Sequence, residues 1–195
     1  MIYSLFLEKK RILPKLIING ELKRLAERIR AKWVDFYYTP SLPVIITAAS
    51  LAHYGFLGPV ERMYLDDVDL ASVPAEHVAS LAACVTEDVM IDNVHSCDLV
   101  NILDNIECQS CRIYDQSMNR EESLALVQAM ESQVEKVDLW GGEVDIRALT
   151  QYNGKGECGE VLYNGGYIDE IRRWAKSIDW NVIDVLNSVI KIGRR

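Results

Sequence analysis

Val60-Glu-Arg-Met63-Tyr-Leu65, Thr86-Glu-Asp-Val89-Met-Ile91 and Cys108-Gln-Ser-Cys111-Arg-Ile113 share one spacing of mainly apolar positions. It returns at Val134-x-x-Val137-x-Leu139, Cys158-x-x-Val161-x-Tyr163 and Trp180-x-x-Ile183-x-Val185, the successive intervals being 26, 22, 26, 24 and 22 residues. A weaker copy, Val34-x-x-Tyr37-x-Thr39, lies 26 residues before the first. Two apolar positions separated by one residue are the period-two signature of a short half-buried strand. The spacing therefore predicts six parallel strands, starting near residues 61, 87, 109, 135, 159 and 181.

Between these strands the period changes to that of a helix. Val78, Leu81, Ala82 and Val85 follow Pro74, which suits a first helical turn. Leu99, Ile102, Leu103 and Ile106 repeat the i, i+3, i+4, i+7 spacing after Asp98. Leu126, Ala129 and Met130 follow Asn119-Arg-Glu-Glu122, where acidic residues favour a helix start. Ile171, Trp174, Ala175 and Ile178 supply another stripe, and a shorter one at Ile146, Leu149 and Tyr152 stops at Asn153-Gly-Lys-Gly156. A strand and a helix every 22–26 residues is tighter than an ordinary βαβ unit, which needs about 30 residues. It predicts an α/β solenoid: short parallel strands, helices on the outer side only, each repeat stacked on its neighbour. A doubly wound α/β domain is the competing architecture, disfavoured by the short spacing and by the lack of a Gly-rich loop after an early strand.

The repeats resemble those of leucine-rich-repeat proteins, whose strand pattern is L-x-x-L-x-L-x-x-N-x-L. The resemblance covers roughly residues 60–185, and its repeat length is similar to the ribonuclease-inhibitor and NOD-like-receptor type. It is degenerate: Val, Ile, Met and Cys often replace leucine, and the Asn column holds Val68, Val94, Gln116, Gly142 and Gly166. The family's Asn ladder is accordingly expected to be missing. The chain then divides into a helical capping region over 1–59 that carries the weaker copy, a solenoid over 60–165 and a capping repeat over 166–195, all one continuous domain. The resemblance implies a protein-binding module, and in the NOD-like receptors an intracellular role in innate immune sensing.

Charge is distributed unevenly along the 195 residues. The net charge of −8 resolves into +5 over residues 1–35, −17 over 36–170 and +4 over 171–195. An acidic body repels a phosphate backbone, so nucleic acid is not an expected partner. The basic stretch Gly20–Trp33 has Leu22, Leu25, Ala26 and Ile29 at helical spacing, and reads as a helix covering one end of the core. No apolar run reaches the length of a membrane span. With no export signal at the start of the chain, five cysteines, an odd number, read as reduced thiols of a cytoplasmic protein.

Two functional readings follow. Tetrahedral zinc or thiol chemistry would draw on His95, Cys97, Cys108 and Cys111, the last two spaced C-x-x-C. Against this, Cys108 and Cys111 share repeat columns with Val134 and Val137, where a thiol behaves as a small core hydrophobe. No glycine pattern forms a phosphate loop and no carboxylate pair is isolated, so neither cofactor nor catalytic set is expected. The other reading is recognition. The outward columns of the strands hold Tyr64 and Asp66, Met90 and Asp92, Arg112 and Tyr114, Asp138 and Trp140, Leu162 and Asn164, with Arg62, Asp88, Ser110, Lys136 and Glu160 in a further column. Tyr, Trp and Arg are the residues of protein-binding hot spots. Tyr64, Asp66, Asp92, Arg112, Tyr114, Asp138 and Trp140 are the candidate contact residues, facing a protein partner with a basic surface.

Overall fold

Every copy of the apolar pattern from Val60 to Tyr163 forms a strand. The computed structural model describes residues 12–18, 30–37, 59–66, 68, 70, 74–94, 99–141, 143–186 and 189–194. Along the chain these form β1 (Ile12–Ile18), β2 (Arg30–Tyr37), β3 (Val60–Asp66), α1 (Ala75–Ala82), β4 (Val85–Asp92), α2 (Leu99–Leu103) and β5 (Ser110–Tyr114). There follow α3 (Arg120–Ser132), β6 (Lys136–Trp140), α4 (Ile146–Leu149), β7 (Glu160–Asn164), α5 (Ile168–Ser177), β8 (Asn181–Leu186) and β9 (Val189–Gly193). The fold is α/β, built on an open, mostly parallel sheet in the order β1-β2-β3-β4-β5-β6-β7-β9-β8.

Strands β1 to β7 lie side by side in chain order, each parallel to the next. Right-handed crossovers that always advance in one direction place their connections on the same face. The core agrees. Met63, Leu65, Val89, Ile91, Cys111, Ile113, Val137, Leu139, Val161 and Tyr163 point into one buried cluster with helix residues Val78, Leu99, Ile102, Leu126, Met130, Leu149, Ile171 and Trp174. The helices α1 to α4 pack each on the next.

Local chemistry fixes the ends of these elements. Asn119 caps α3: its side chain accepts from the Glu121 and Glu122 amides, while Glu122 returns a bond to the Asn119 amide. The residues just after β4, β5 and β6 are Asn93, Asp115 and Gly141, all with positive φ (45°, 44° and 68°). Asn, Asp and Gly tolerate that conformation best. Each donates its amide to the last carbonyl of the next strand: Asn93 to Tyr114 at 3.2 Å, Asp115 to Trp140 at 2.9 Å, Gly141 to Asn164 at 3.1 Å. The same turn is thus repeated three times, in register. At the other end of the strands Gly156 lies against the end of α3, where a Cβ would come within 2.3 Å of the Glu131 Cα.

Several expectations need correction. The Asn column is not silent: Gln116 bridges to the preceding copy, accepting from the Val94 amide at 2.9 Å and donating to its carbonyl at 3.3 Å. An amide side chain one methylene longer performs that rung. The weaker N-terminal copy is displaced by three residues, since Val34 pairs with Met63 and Phe36 with Leu65. The helix drawn over Gly20–Trp33 gives way to β2 from Arg30 onward; Leu22, Leu25, Ala26 and Ile29 lie outside the described residues. A bulge between Val60 and Arg62 pairs Val60 with Val85, so Val85 is buried and Thr86, placed in the core column by sequence, is exposed. The sixth strand, β8, does not pair with β7. Strand β9 is inserted between them, antiparallel to both, with Ile190 and Ile192 fully buried. Only two residues separate β8 from β9, a link that suits a hairpin and is far too short for a parallel return.

Candidate functional site

The outward side chains of β2 to β7 form the face of the sheet on which no described helix packs. Strand register sorts them into rows. One holds Tyr64, Met90, Arg112, Asp138 and Leu162, and the next, toward the carboxyl ends of the strands, holds Asp66, Asp92, Tyr114, Trp140 and Asn164. All seven candidate contact residues thus share one face, because equivalent columns of parallel strands stack about 4.8 Å apart.

The first row is tied by charge. Arg112 donates through Nε to Asp88 Oδ1 at 3.0 Å, and through Nη2 to Asp88 Oδ2 and the Tyr64 hydroxyl. Tyr64 in turn donates to Asp88 Oδ2 at 3.2 Å, and the guanidinium sits 4.9 Å from the centre of the Tyr64 ring. Burial works to lower the Arg112 pKa, but Asp88 and Tyr64 outweigh it and raise it. Further along, Lys136 Nζ is 3.3 Å from Glu160 and 3.6 Å from Asp138 Oδ1, while Lys191 is 2.7 Å from the other Glu160 oxygen. Burial pushes the Glu160 carboxyl upward, yet Lys191 and Lys136 outweigh it and hold it below its usual 4.5.

Asp138 departs from the sequence reading. Expected as an exposed charge, it is 6% exposed, and burial raises its pKa against the opposing pull of Lys136 and Arg112. Its Oδ1 is shielded from solvent and accepts no hydrogen bond. Beside it lies a groove of about 350 Å³ whose walls include Arg62, Asp88, Ser110, Arg112, Lys136 and Asp138.

The second row is aromatic and acidic. Tyr114 and Trp140 are half-buried and stack with centroids 6.1 Å apart and planes 28° from parallel. The Trp140 Nε1 is buried without a hydrogen-bond partner. Asp66 and Asp92 face each other across β3 and β4. The Asp88–Arg112–Tyr64 cluster is the part of the site that column-by-column reading missed. Its signal was present: with the columns aligned, Asp88 stands diagonally from both Arg112 and Tyr64.

The competing thiol or zinc site is not assembled among the described residues. His95 and Cys97 lie outside them. Cys108 and Cys111 are buried in the core with Cys158. Burial pushes the Cys108 and Cys158 thiols up to about 12 and Cys111 well above its ordinary 9.0. Nucleophilic attack needs a thiolate, so these environments oppose it. No group of three His, Cys, Asp or Glu among the described residues is arranged to hold a metal ion. None of the described helices is long and apolar enough to cross a membrane. No family model matches the chain, and no match is found among curated proteins or solved structures.

Proposed function

We propose that the chain is a non-enzymatic recognition module, a leucine-rich-repeat-like solenoid that presents one face of its sheet to a protein partner with a basic surface. The strictly sequential parallel order of β1 to β7 and the thrice-repeated turn after β4, β5 and β6 support the solenoid reading. The observation that carries the functional reading is the clustering of Tyr64, Arg112, Tyr114 and Trp140 with Asp66 and Asp92 on a face without a described helix. Aromatic side chains supply rigid apolar area, and Tyr114 and Trp140 stack as one half-exposed pair. The acidic body draws a basic partner and speeds its approach.

Affinity capture with wild type and Trp140→Ala tests this directly. A partner held by this face should bind the variant more weakly by about 2 kcal/mol, with the circular dichroism spectrum unchanged. Association with wild type should slow as salt rises. Unchanged capture by a folded Trp140→Ala protein would overturn the assignment.

A further inference from the structure

Asp138 is nine-tenths buried, lines the groove on the sheet face, and holds an oxygen that accepts no hydrogen bond. Its neighbours leave it short of donors. Arg112 turns its fork to Asp88 on the far side. Lys136 stands nearer to Glu160 than to Asp138, and Glu160 already has Lys191. Glu160 has two cations while Asp138 has the distant half of one. A buried charged acceptor left unmet is costly, so the site gains from any donor brought to it.

We propose that Asp138 is the recognition carboxylate of this face and takes an arginine guanidinium from the partner. The inference rests on the recognition reading above and names the chemistry of its anchor. Binding asks Lys136, 3.6 Å from Asp138 Oδ1, to leave that oxygen and pair with Glu160, already the nearer partner at 3.3 Å. The oxygen so uncovered accepts from the incoming guanidinium. A guanidinium suits a half-closed groove better than an ammonium because it is more weakly hydrated and presents its donors in a planar fork. The groove of about 350 Å³ has room for that side chain. The acidic middle of the chain, −17 over residues 36–170, favours a cation at long range.

The test uses the whole chain and needs no partner. N-acetyl-L-argininamide is titrated to about 50 mM at low salt, a range suited to a single weakly bound side chain, while backbone amide shifts are followed by NMR. Shifts should centre on Ser110–Arg112 and Lys136–Asp138, and the matching lysine amide should bind more weakly. Asp138→Asn, of nearly the same shape, should weaken the probe at least ten-fold, whereas Asp104→Asn, at an exposed position just after α2 and away from this face, should leave it within two-fold. Lys136→Met removes the competing cation and should tighten binding, which keeps the proposal testable if Asp138→Asn folds poorly. No localised shifts, full binding by folded Asp138→Asn, or no tightening in Lys136→Met would each overturn it. Should the probe fail while Trp140→Ala still weakens partner capture, this anchor is wrong and the recognition face stands.

Discussion

Arg112 and Asp88 stand diagonally on neighbouring strands, and the fork between them fixes a tyrosine at the same time. Asp138 and Glu160, on the next two strands, show how position decides sign. Glu160 has two lysines, which hold its folded pKa below 4.5 although burial acts the other way. A lowered folded pKa contributes stability that is present above the unfolded value and lost as pH falls through the folded one. Glu160→Gln should therefore cost about 1 kcal/mol at pH 7, a modest figure because solvent reaches the pair. The difference between variant and wild type should shrink as pH falls from 4.5 through the lowered folded value, where the wild-type carboxyl is protonated. Urea midpoints over a series of falling pH measure this, and a gap that stays constant would show that the charge contributes nothing. Asp138 has the opposite sign. Its raised carboxyl loses stability as pH rises from its ordinary 3.8 through the folded value, a dependence that Asp138→Asn should abolish.

At the scale of the element, the period-two pattern located β3 to β7 within about two residues, because each strand must bury alternate side chains against the helices. It went wrong where a local event broke the period. The bulge at Val60 moved Val85 into the core and Thr86 out of it. In β2 the true partners of Met63 and Leu65 are Val34 and Phe36, whereas Tyr37 and Thr39 satisfied the longer template by coincidence. The outward columns were legible for the same reason as the inward ones. The ion-pair lattice was not, since a column gives a strand neighbour but not which rotamer a long charged side chain selects. Nor was the burial of Asp138, which depends on its flanks rather than its own identity. Cys108 illustrates the legible part: it is 4% exposed, in the column of fully buried Val134 and Cys158. Its thiol donates to the Ser110 carbonyl, at 3.2 Å. Cys108→Val should fold with a loss below about 1.5 kcal/mol by thermal melting, since volume is nearly conserved. A loss above 3 kcal/mol, well beyond a volume-conserving swap, would mean that the thiol does more than fill space.

On the scale of the whole molecule, a row of parallel strands has an unsolved problem at its end. The last parallel strand, β7, offers a row of backbone groups to any other strand, and such an edge invites association. Here β9 covers it, pairing along all five residues of β7 from Glu160 to Asn164. The same strand pairs with β8, so one short segment covers β7 and holds the last strand of the sheet. Both of its inward residues, Ile190 and Ile192, are fully buried, each contributing roughly 1.5–3 kcal/mol of apolar burial. Ending the chain after Leu186 removes this segment while leaving every strand from β3 to β7 intact. Two effects should follow together. Stability should fall by about 4 kcal/mol, read from the urea midpoint, because the two isoleucines no longer shield Val161 and Tyr163. The freed β7 edge should also drive self-association, seen as dimers and larger species by light scattering at concentrations where the full chain does not associate. The two effects separate the roles of β9: Ile190→Ala and Ile192→Ala in the full chain should reproduce the loss of stability while still covering the edge, and so should not self-associate. A truncated protein with unchanged midpoint and unchanged mass would show that β7 needs no such cover.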